Sequence, residues 1–339
     1  MKLKRSDKNP IFSPGPTDAW EGICVSNPGA WYDGEKVHLL YRAGPDSKEH
    51  LVCFGLAESC DGLHFTKSDK NPVFGPSEDG FDAGCIEDPR IIKFGDTYFV
   101  TYAARMFPPG RYWQPDYNPT AHIPPMPPEA PLAVRANLTR SGLASTKDFK
   151  KWHRLGPITP ANVDDRDVII FPEQVAGQFV MLHRPYAWTG PAYGCDKPSI
   201  WMSFSDDMLV WKKDHLLAQP HFWWQNRKIG GSTPPLRTDK GWLTLYHGVD
   251  DLNVYRIGAM LLDLENPLKI IGRTPEPILE PETDYEKVGL VKNVVFPCGN
   301  VIIKNQLFVY YGGADKVCCV ATCPVDELVE YTLANPWKE

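Results

Sequence analysis

The chain has 339 residues, 42% hydrophobic and 23% charged, and 36 Lys and Arg stand against 42 Asp and Glu for a net charge of −6. That length supports a substantial core, and the acidic balance argues against a nucleic-acid partner, whose protein footprints are usually basic. The charged start Met1-Lys2-Leu3-Lys4-Arg5-Ser6-Asp7-Lys8 leads into no apolar core, so it does not read as a secretory signal, and no run reaches the roughly 18 apolar residues of a membrane span.

Nine cysteines, none in a CxxC pair, fit reduced and mostly buried thiols in a cytoplasmic protein. The unusual numbers are 33 prolines, 27 glycines and 12% aromatics. These punctuate apolar runs rich in β-branched and aromatic residues, the pattern of many short strands joined by turns.

In chain order, one template returns five times: a turn bearing Gly, Asn or Asp, then an alternating strand ending in aromatic and polar residues. The copies are 32–42, 94–102, 175–184, 238–247 and 303–312. Each reads as a hairpin, with turn residues supplying positive φ and period-two alternation supplying a face to bury. A second element, Ser/Thr-x-Asp-x-x-x-aromatic, follows three of them at Ser59–Phe65, Thr146–Trp152 and Ser205–Trp211. Its hydroxyl and carboxylate can tie a tight turn while the ring plugs a sheet, a structural role. A recurrence of roughly 50 to 70 residues suits a propeller blade. The fold class expected is all-β: residues 1–339 as a single five-bladed β-propeller domain with a short C-terminal helix over 324–331. A two-sheet sandwich is the other architecture considered.

The stretch Cys85-Ile86-Glu87-Asp88-Pro89-Arg90 sets two carboxylates and a guanidinium beside a proline, ahead of an apolar run. Proline pushes the residue before it towards extended geometry, so Asp88 is expected on a stiff strand entrance. Paired carboxylates in a cleft break glycosidic bonds, although an Asp-Pro turn with an exposed ion pair is the alternative. A proline-rich insertion at about 106–135 interrupts the pattern. It is too rich in proline for sheet and too aromatic for a plain linker, which suggests a lid over the cleft or an oligomer contact.

Strand-end polar residues of different blades meet near a propeller's axis. The candidates are Asn27 and Arg42 from the first unit and Asp88 from the second. The third supplies Arg166, Glu173 and Arg184, the fourth His247, Tyr255 and Arg256, and the fifth Asp315. Each has a structural alternative, such as a buried ion pair for Arg42 or Arg184 and a satisfied core histidine for His247. As a set they resist that explanation, because burying unpaired charge is costly. Several cations around one carboxylic acid make a poor metal site and a good anion site, since Arg presents a fork matched to phosphate oxygens. No metal and no organic cofactor is expected. An acid protonating a leaving oxygen beside a bound phosphate is a phosphorolysis arrangement; without the anion, a second carboxylate such as Glu173 could activate water instead.

The motifs resemble glycoside hydrolase family 130, the β-mannoside phosphorylases and related β-mannosidases. The matches are Asn27-Pro28-Gly29-Ala30, Tyr41-Arg42-Ala43, Glu87-Asp88-Pro89-Arg90, Phe171-Pro172-Glu173, Leu182-His183-Arg184-Pro185, Tyr246-His247-Gly248-Val249 and Asn293-Val294-Val295-Phe296-Pro297-Cys298-Gly299. The resemblance implies a five-bladed propeller and an inverting reaction with Asp88 as its single acid, its proton passing through a mannose hydroxyl. It also implies a manno-oligosaccharide substrate, inorganic phosphate as co-substrate and α-mannose 1-phosphate as product. Asn27, Arg42 and Asp315 would hold mannose, and Arg166, Arg184, His247 and Tyr255 would cradle phosphate. Where many phosphorylases carry basic residues this chain has Glu58 and Gln174, which keeps a phosphate-independent β-mannosidase as an alternative, beside a non-catalytic carbohydrate-binding propeller. The insertion and Phe222-Trp223-Trp224 are expected on the acceptor side. A homo-oligomer is possible; linkage and acceptor sugar are left open.

Overall fold

Each of the five hairpins forms the inner half of an antiparallel sheet in the computed structural model, which describes residues 1–16 and 19–338. Blade 1 runs outward from Cys24–Tyr32 through Val37–Gly44 and Cys53–Ser59 to Thr66–Lys67. Blade 2 follows with Cys85–Phe94, Thr97–Arg105, Arg140–Thr146 and Trp152–Pro157, and blade 3 with Asp165–Ile170, Phe179–Pro185, Ile200–Ser205 and Lys212–Ala218. In blade 4 the innermost strand is split into Lys228–Gly231 and Leu236–Thr238, both paired to Gly241–Val249, with Tyr255–Leu262 and Ile270–Arg273 outside. Blade 5 consists of Val295–Ile303, Gln306–Gly313 and Val317–Pro324, completed on its outer edge by the N-terminal strand Lys4–Arg5. The start of the chain thus closes the ring by supplying the fourth strand of the last blade. The C-terminal helix is Val325–Leu333, its buried Leu328 and Val329 packed on blades 4 and 5. Among the described residues no helix is long and apolar enough to cross a membrane.

The period-two alternation fills two faces rather than one. In Gly241–Val249 every residue is buried. Leu243 and Leu245 enter the cluster shared with blade 5, whereas Trp242 and Tyr246 enter the one shared with blade 3. Likewise Ile91 packs towards blade 1 and its neighbour Ile92 towards blade 3. The core therefore consists of apolar layers between successive blades, and a one-residue slip would exchange the two layers of a strand.

The Ser/Thr-x-Asp elements are turns joining the third and fourth strands of blades 1 to 3. Ser59, Thr146 and Ser205 accept through Oγ atoms from the N–H groups of Gly62, Phe149 and Met208 at 2.9, 2.9 and 3.0 Å. Those three residues take φ of +76°, +55° and +63°. The following Asp accepts from two further N–H groups in each case. All nine cysteines are free thiols, seven of them buried.

Candidate active site

The innermost strands of blades 1, 2 and 3 each contain one extra residue relative to their partners, between Ser26 and Gly29, Glu87 and Arg90, and Arg166 and Ile169. The residues inside these bulges, Asn27, Asp88 and Asp167, take left-handed φ of 47°, 55° and 57°. A bulge bends its strand and re-aims a side chain, and here all three line one axial cavity of about 320 Å³. Asp88 was expected in extended geometry at a strand entrance. It lies instead inside Cys85–Phe94 with positive φ. The bias imposed by Pro89 is overridden by the bulge, one of the few sheet positions that tolerates proline at all.

One side of the cavity is acidic. Arg42, at the end of its strand, meets Glu87 at 3.0 Å, Asp88 at 2.9 Å and Asp315 at 3.1 Å. Asn27 Nδ2 also donates to Asp88 Oδ1 at 2.7 Å, so both bonds to Asp88 fall on Oδ1 and Oδ2 is the atom left for chemistry. Burial, reinforced by Asp88 and Glu87 against the opposing pull of Arg42, raises the pKa of Asp315. Burial also acts upward on Glu87, but Arg42, Arg105 and Arg166 outweigh it and hold that carboxyl below its usual value.

The other side is cationic. Arg166, Arg184, Lys228, His247 and Tyr255 line the same cavity. Arg166 forks onto Asp164 at 2.7 and 2.8 Å. Arg184 donates from Nε to Asp167 at 2.7 Å, while its buried Nη1 has no partner among the described residues. His247 stacks against Tyr255 with ring centroids 5.9 Å apart. Burial, with Arg184, Lys228 and Arg90 repelling a further charge and Asp167 opposing, lowers the pKa of His247 to about 3, so the ring is neutral at pH 7. The ammonium of Lys228 sits 5.2 Å from the Tyr255 ring centroid, and burial followed by Arg184 lowers its pKa to about 7. A guanidinium donor without an acceptor, beside a second guanidinium and a lysine, is suited to donating hydrogen bonds to an oxyanion.

The proline-rich insertion leaves blade 2 after Arg105 and returns at Arg140. It crosses to the 45–50 loop of blade 1: Gly110 N–H donates to Glu49 O at 3.1 Å, Arg111 pairs with Asp46 at 3.0 Å, and Trp113 packs on His50 at 4.7 Å between centroids. Pro109, Tyr112 and Tyr117 then form part of the cavity wall.

Eight of the ten expected site residues meet here: Asn27, Arg42, Asp88, Arg166, Arg184, His247, Tyr255 and Asp315. Glu173 does not. It is 55% exposed in an ion pair with Arg237. An antiparallel hairpin puts its turn at the end of the blade remote from the strand start, and the six residues from Asp167 to Glu173 span about 20 Å at strand rise. Arg256 pairs with Asp250 and Glu280 rather than joining the cavity. Trp224 of the expected acceptor-side cluster is a core plug stacked on Tyr246, while Trp223 lies on the surface over Arg256. Glu58 contacts Lys36 and His38, and neither it nor Gln174 lines the cavity. Their acidic and neutral character therefore takes nothing from the cationic wall. Sequence reasoning missed Asp167 and Lys228, and marked Glu87 only as the carboxylate beside Asp88. Asp167 had a signal, since Asp167-Val168-Ile169-Ile170 repeats the Asp-before-apolar-run pattern of Asp88. Lys228 had none, being far from any turn motif.

Among the described residues no cluster of three or more His, Cys, Asp or Glu is arranged to hold a metal ion. Asp165, His183 and Ser203 are linked by bonds of 2.9 and 2.9 Å in the order of a nucleophilic triad, but Ser203 donates to Asp214 and all three are buried in blade 3.

Five blades around an axial cavity with opposed acidic and cationic walls define a propeller built to hold a polar ligand beside an anion. The chain belongs to glycoside hydrolase family 130: the family profile, described as β-1,4-mannooligosaccharide phosphorylase, matches residues 2–123 and 133–333, and the gap falls in the proline-rich insertion. The chain is 36% identical to a 1,2-β-oligomannan phosphorylase of Thermoanaerobacter sp. (strain X514), over 97% of this chain and 99% of that one. It is 30% identical to a β-1,4-mannooligosaccharide phosphorylase of Ruminococcus albus, over 98% and 91%. A β-1,2-mannobiose phosphorylase of Listeria innocua, solved with β-1,2-mannobiose, superposes with a TM-score of 0.80 at 27% identity, covering 99% of this chain and all of that one.

Proposed function

We propose that this chain phosphorolyses the terminal β-mannosidic bond of manno-oligosaccharides with inversion, giving α-mannose 1-phosphate. The observation that carries the reading is the two-sided cavity, in which the Asp88 cluster faces an oxyanion site made by Arg166, Arg184 and Lys228. Asn27, Arg42 and Asp315 bind mannose. Arg166, Arg184, Lys228, His247 and Tyr255 hold phosphate, which stabilises negative charge where the reaction needs it. A phosphate oxygen attacks the anomeric carbon as the bond to the leaving oxygen breaks, and that oxygen takes the proton of Asp88, relayed through a mannose hydroxyl. Inorganic phosphate is the co-substrate and no cofactor enters. Tyr112 and Tyr117 of the insertion border the acceptor side.

The linkage favoured is β-1,2, because two relatives at 36% identity are a 1,2-β-oligomannan phosphorylase and a β-1,2-mannobiose phosphorylase, against 30% for the β-1,4 enzyme. Product analysis of β-1,2- and β-1,4-mannobiose with and without phosphate tests both parts. Mannose 1-phosphate from the β-1,2 substrate, and no cleavage without phosphate, is the expected result. Equal turnover in both buffers would make the chain a β-mannosidase.

A further inference from the structure

The cationic wall contains an anion of its own. Asp167 lines the cavity and is 4% exposed. Its Oδ2 accepts from Arg184 Nε at 2.7 Å and stands 3.6 Å from His247 Nε2, while Oδ1 is 3.7 Å from Arg90 Nη2, beyond hydrogen-bond reach. Burial pushes this carboxyl up, but Arg184, His247 and Arg90 outweigh it and hold it well below the ordinary carboxylate range. The group is ionised at neutral pH and can only accept hydrogen bonds. Room for it is made by Gly230, where a Cβ would collide with Asp167 Oδ2 and the His247 ring.

A tetrahedral oxyanion seated on Arg166, Arg184 and Lys228 would bring one oxygen against this carboxylate. If that oxygen carries no proton, two anionic oxygens face each other where water screens poorly. If it is an O–H, the contact becomes a charge-assisted hydrogen bond. Phosphate and arsenate retain an O–H at neutral pH, whereas sulfate and selenate do not. We propose that Asp167 is a specificity-determining residue that admits protonated oxyanions and rejects fully deprotonated ones, so that the site takes phosphate in the presence of sulfate. The proposal rests on the phosphorylase reading and adds to it a discrimination that a mere counter-ion of Arg184 would not produce.

Calorimetric titration of the wild type and Asp167→Asn with phosphate, arsenate, sulfate and selenate at pH 7 decides it. In the wild type, phosphate and arsenate bind on the order of 10- to 100-fold more tightly than sulfate and selenate, the span of one hydrogen bond to a charged group. In Asp167→Asn the amide still accepts from Arg184 and can now donate to a bare oxygen, so the gap closes by about tenfold or more. Sulfate binding as tightly as phosphate in the wild type, or an unchanged gap in the variant, overturns the proposal alone. Failure of the wild type to bind phosphate overturns it together with the phosphorylase reading. Should the variant not fold, equal binding of sulfate and phosphate by the wild type still overturns the proposal.

Discussion

Lys228 gives the sharpest quantitative handle on the site. Burial, then Arg184, with Arg166 and Arg227 adding and Asp167 opposing, brings its pKa from 10.5 to about 7. At pH 8 about nine-tenths of the free enzyme therefore lacks a charge there, and at pH 7 about half. Phosphate bound beside the side chain supplies the missing counter-charge, and the ammonium reforms. Binding at pH 8 should take up about 0.9 proton, measured as the difference in calorimetric heat between two buffers of unequal ionisation enthalpy. Lys228→Gln should abolish that uptake and raise KM for phosphate on the order of 10- to 100-fold, the range for losing a hydrogen bond to a charged group. The same shift fixes a stability sign. A lysine whose folded pKa lies below its unfolded value destabilises the free enzyme, fully below about pH 7 and progressively less as pH rises towards 10.5. Lys228→Gln should accordingly melt above the wild type at pH 7 without phosphate, with the gain fading at alkaline pH. Heats that do not depend on the buffer, or an unchanged KM for phosphate, would refute the reasoning.

Two further outcomes follow from the geometry. Asp88→Asn preserves the shape that receives Asn27 and Arg42 but removes the proton donor, so kcat should fall roughly 10²- to 10⁴-fold while mannoside binding persists; a kcat within tenfold of wild type would remove Asp88 from the acid role. Arg5→Met removes the guanidinium from Glu286, whose side chain is fully buried where the N-terminal strand closes the ring and keeps bonds from two backbone N–H groups and Tyr311, and should cost about 1.5–3 kcal/mol in urea unfolding. Burial raises the pKa of Glu286, but Arg5 and two backbone N–H groups outweigh it and the net shift is downward. Its contribution is thus present above the unfolded value and lost as pH falls through the folded one, and the Arg5→Met penalty should shrink below about pH 4.

The blade count was legible because the hairpin is a local object: turn residues and alternation over ten positions specify it without reference to the rest of the chain. Gly34, Gly95, Gly177 and Lys304 supply the expected positive φ in four of the turns. The site was legible where a polar or charged residue lay near the end of a hairpin strand, as at Arg42, Arg184 and His247, because the antiparallel return brings that end back to the start of the inner strand. Glu173 was misplaced by the same geometry, lying on the turn rather than at the strand's open end.

What the sequence alone determined is therefore the repeat, the strand-end charges and the Asp-Pro and Asn-Pro dipeptides that mark two bulges. Tertiary structure alone decided that Asp167 faces Arg184 from the adjacent strand, that Lys228 on blade 4 completes the cationic wall, and that Arg42 is shared by carboxylates from blades 2 and 5. Those are contacts between residues tens to hundreds of positions apart. Their energies and the resulting protonation states depend on ring closure and on burial, neither of which any local stretch of chain encodes.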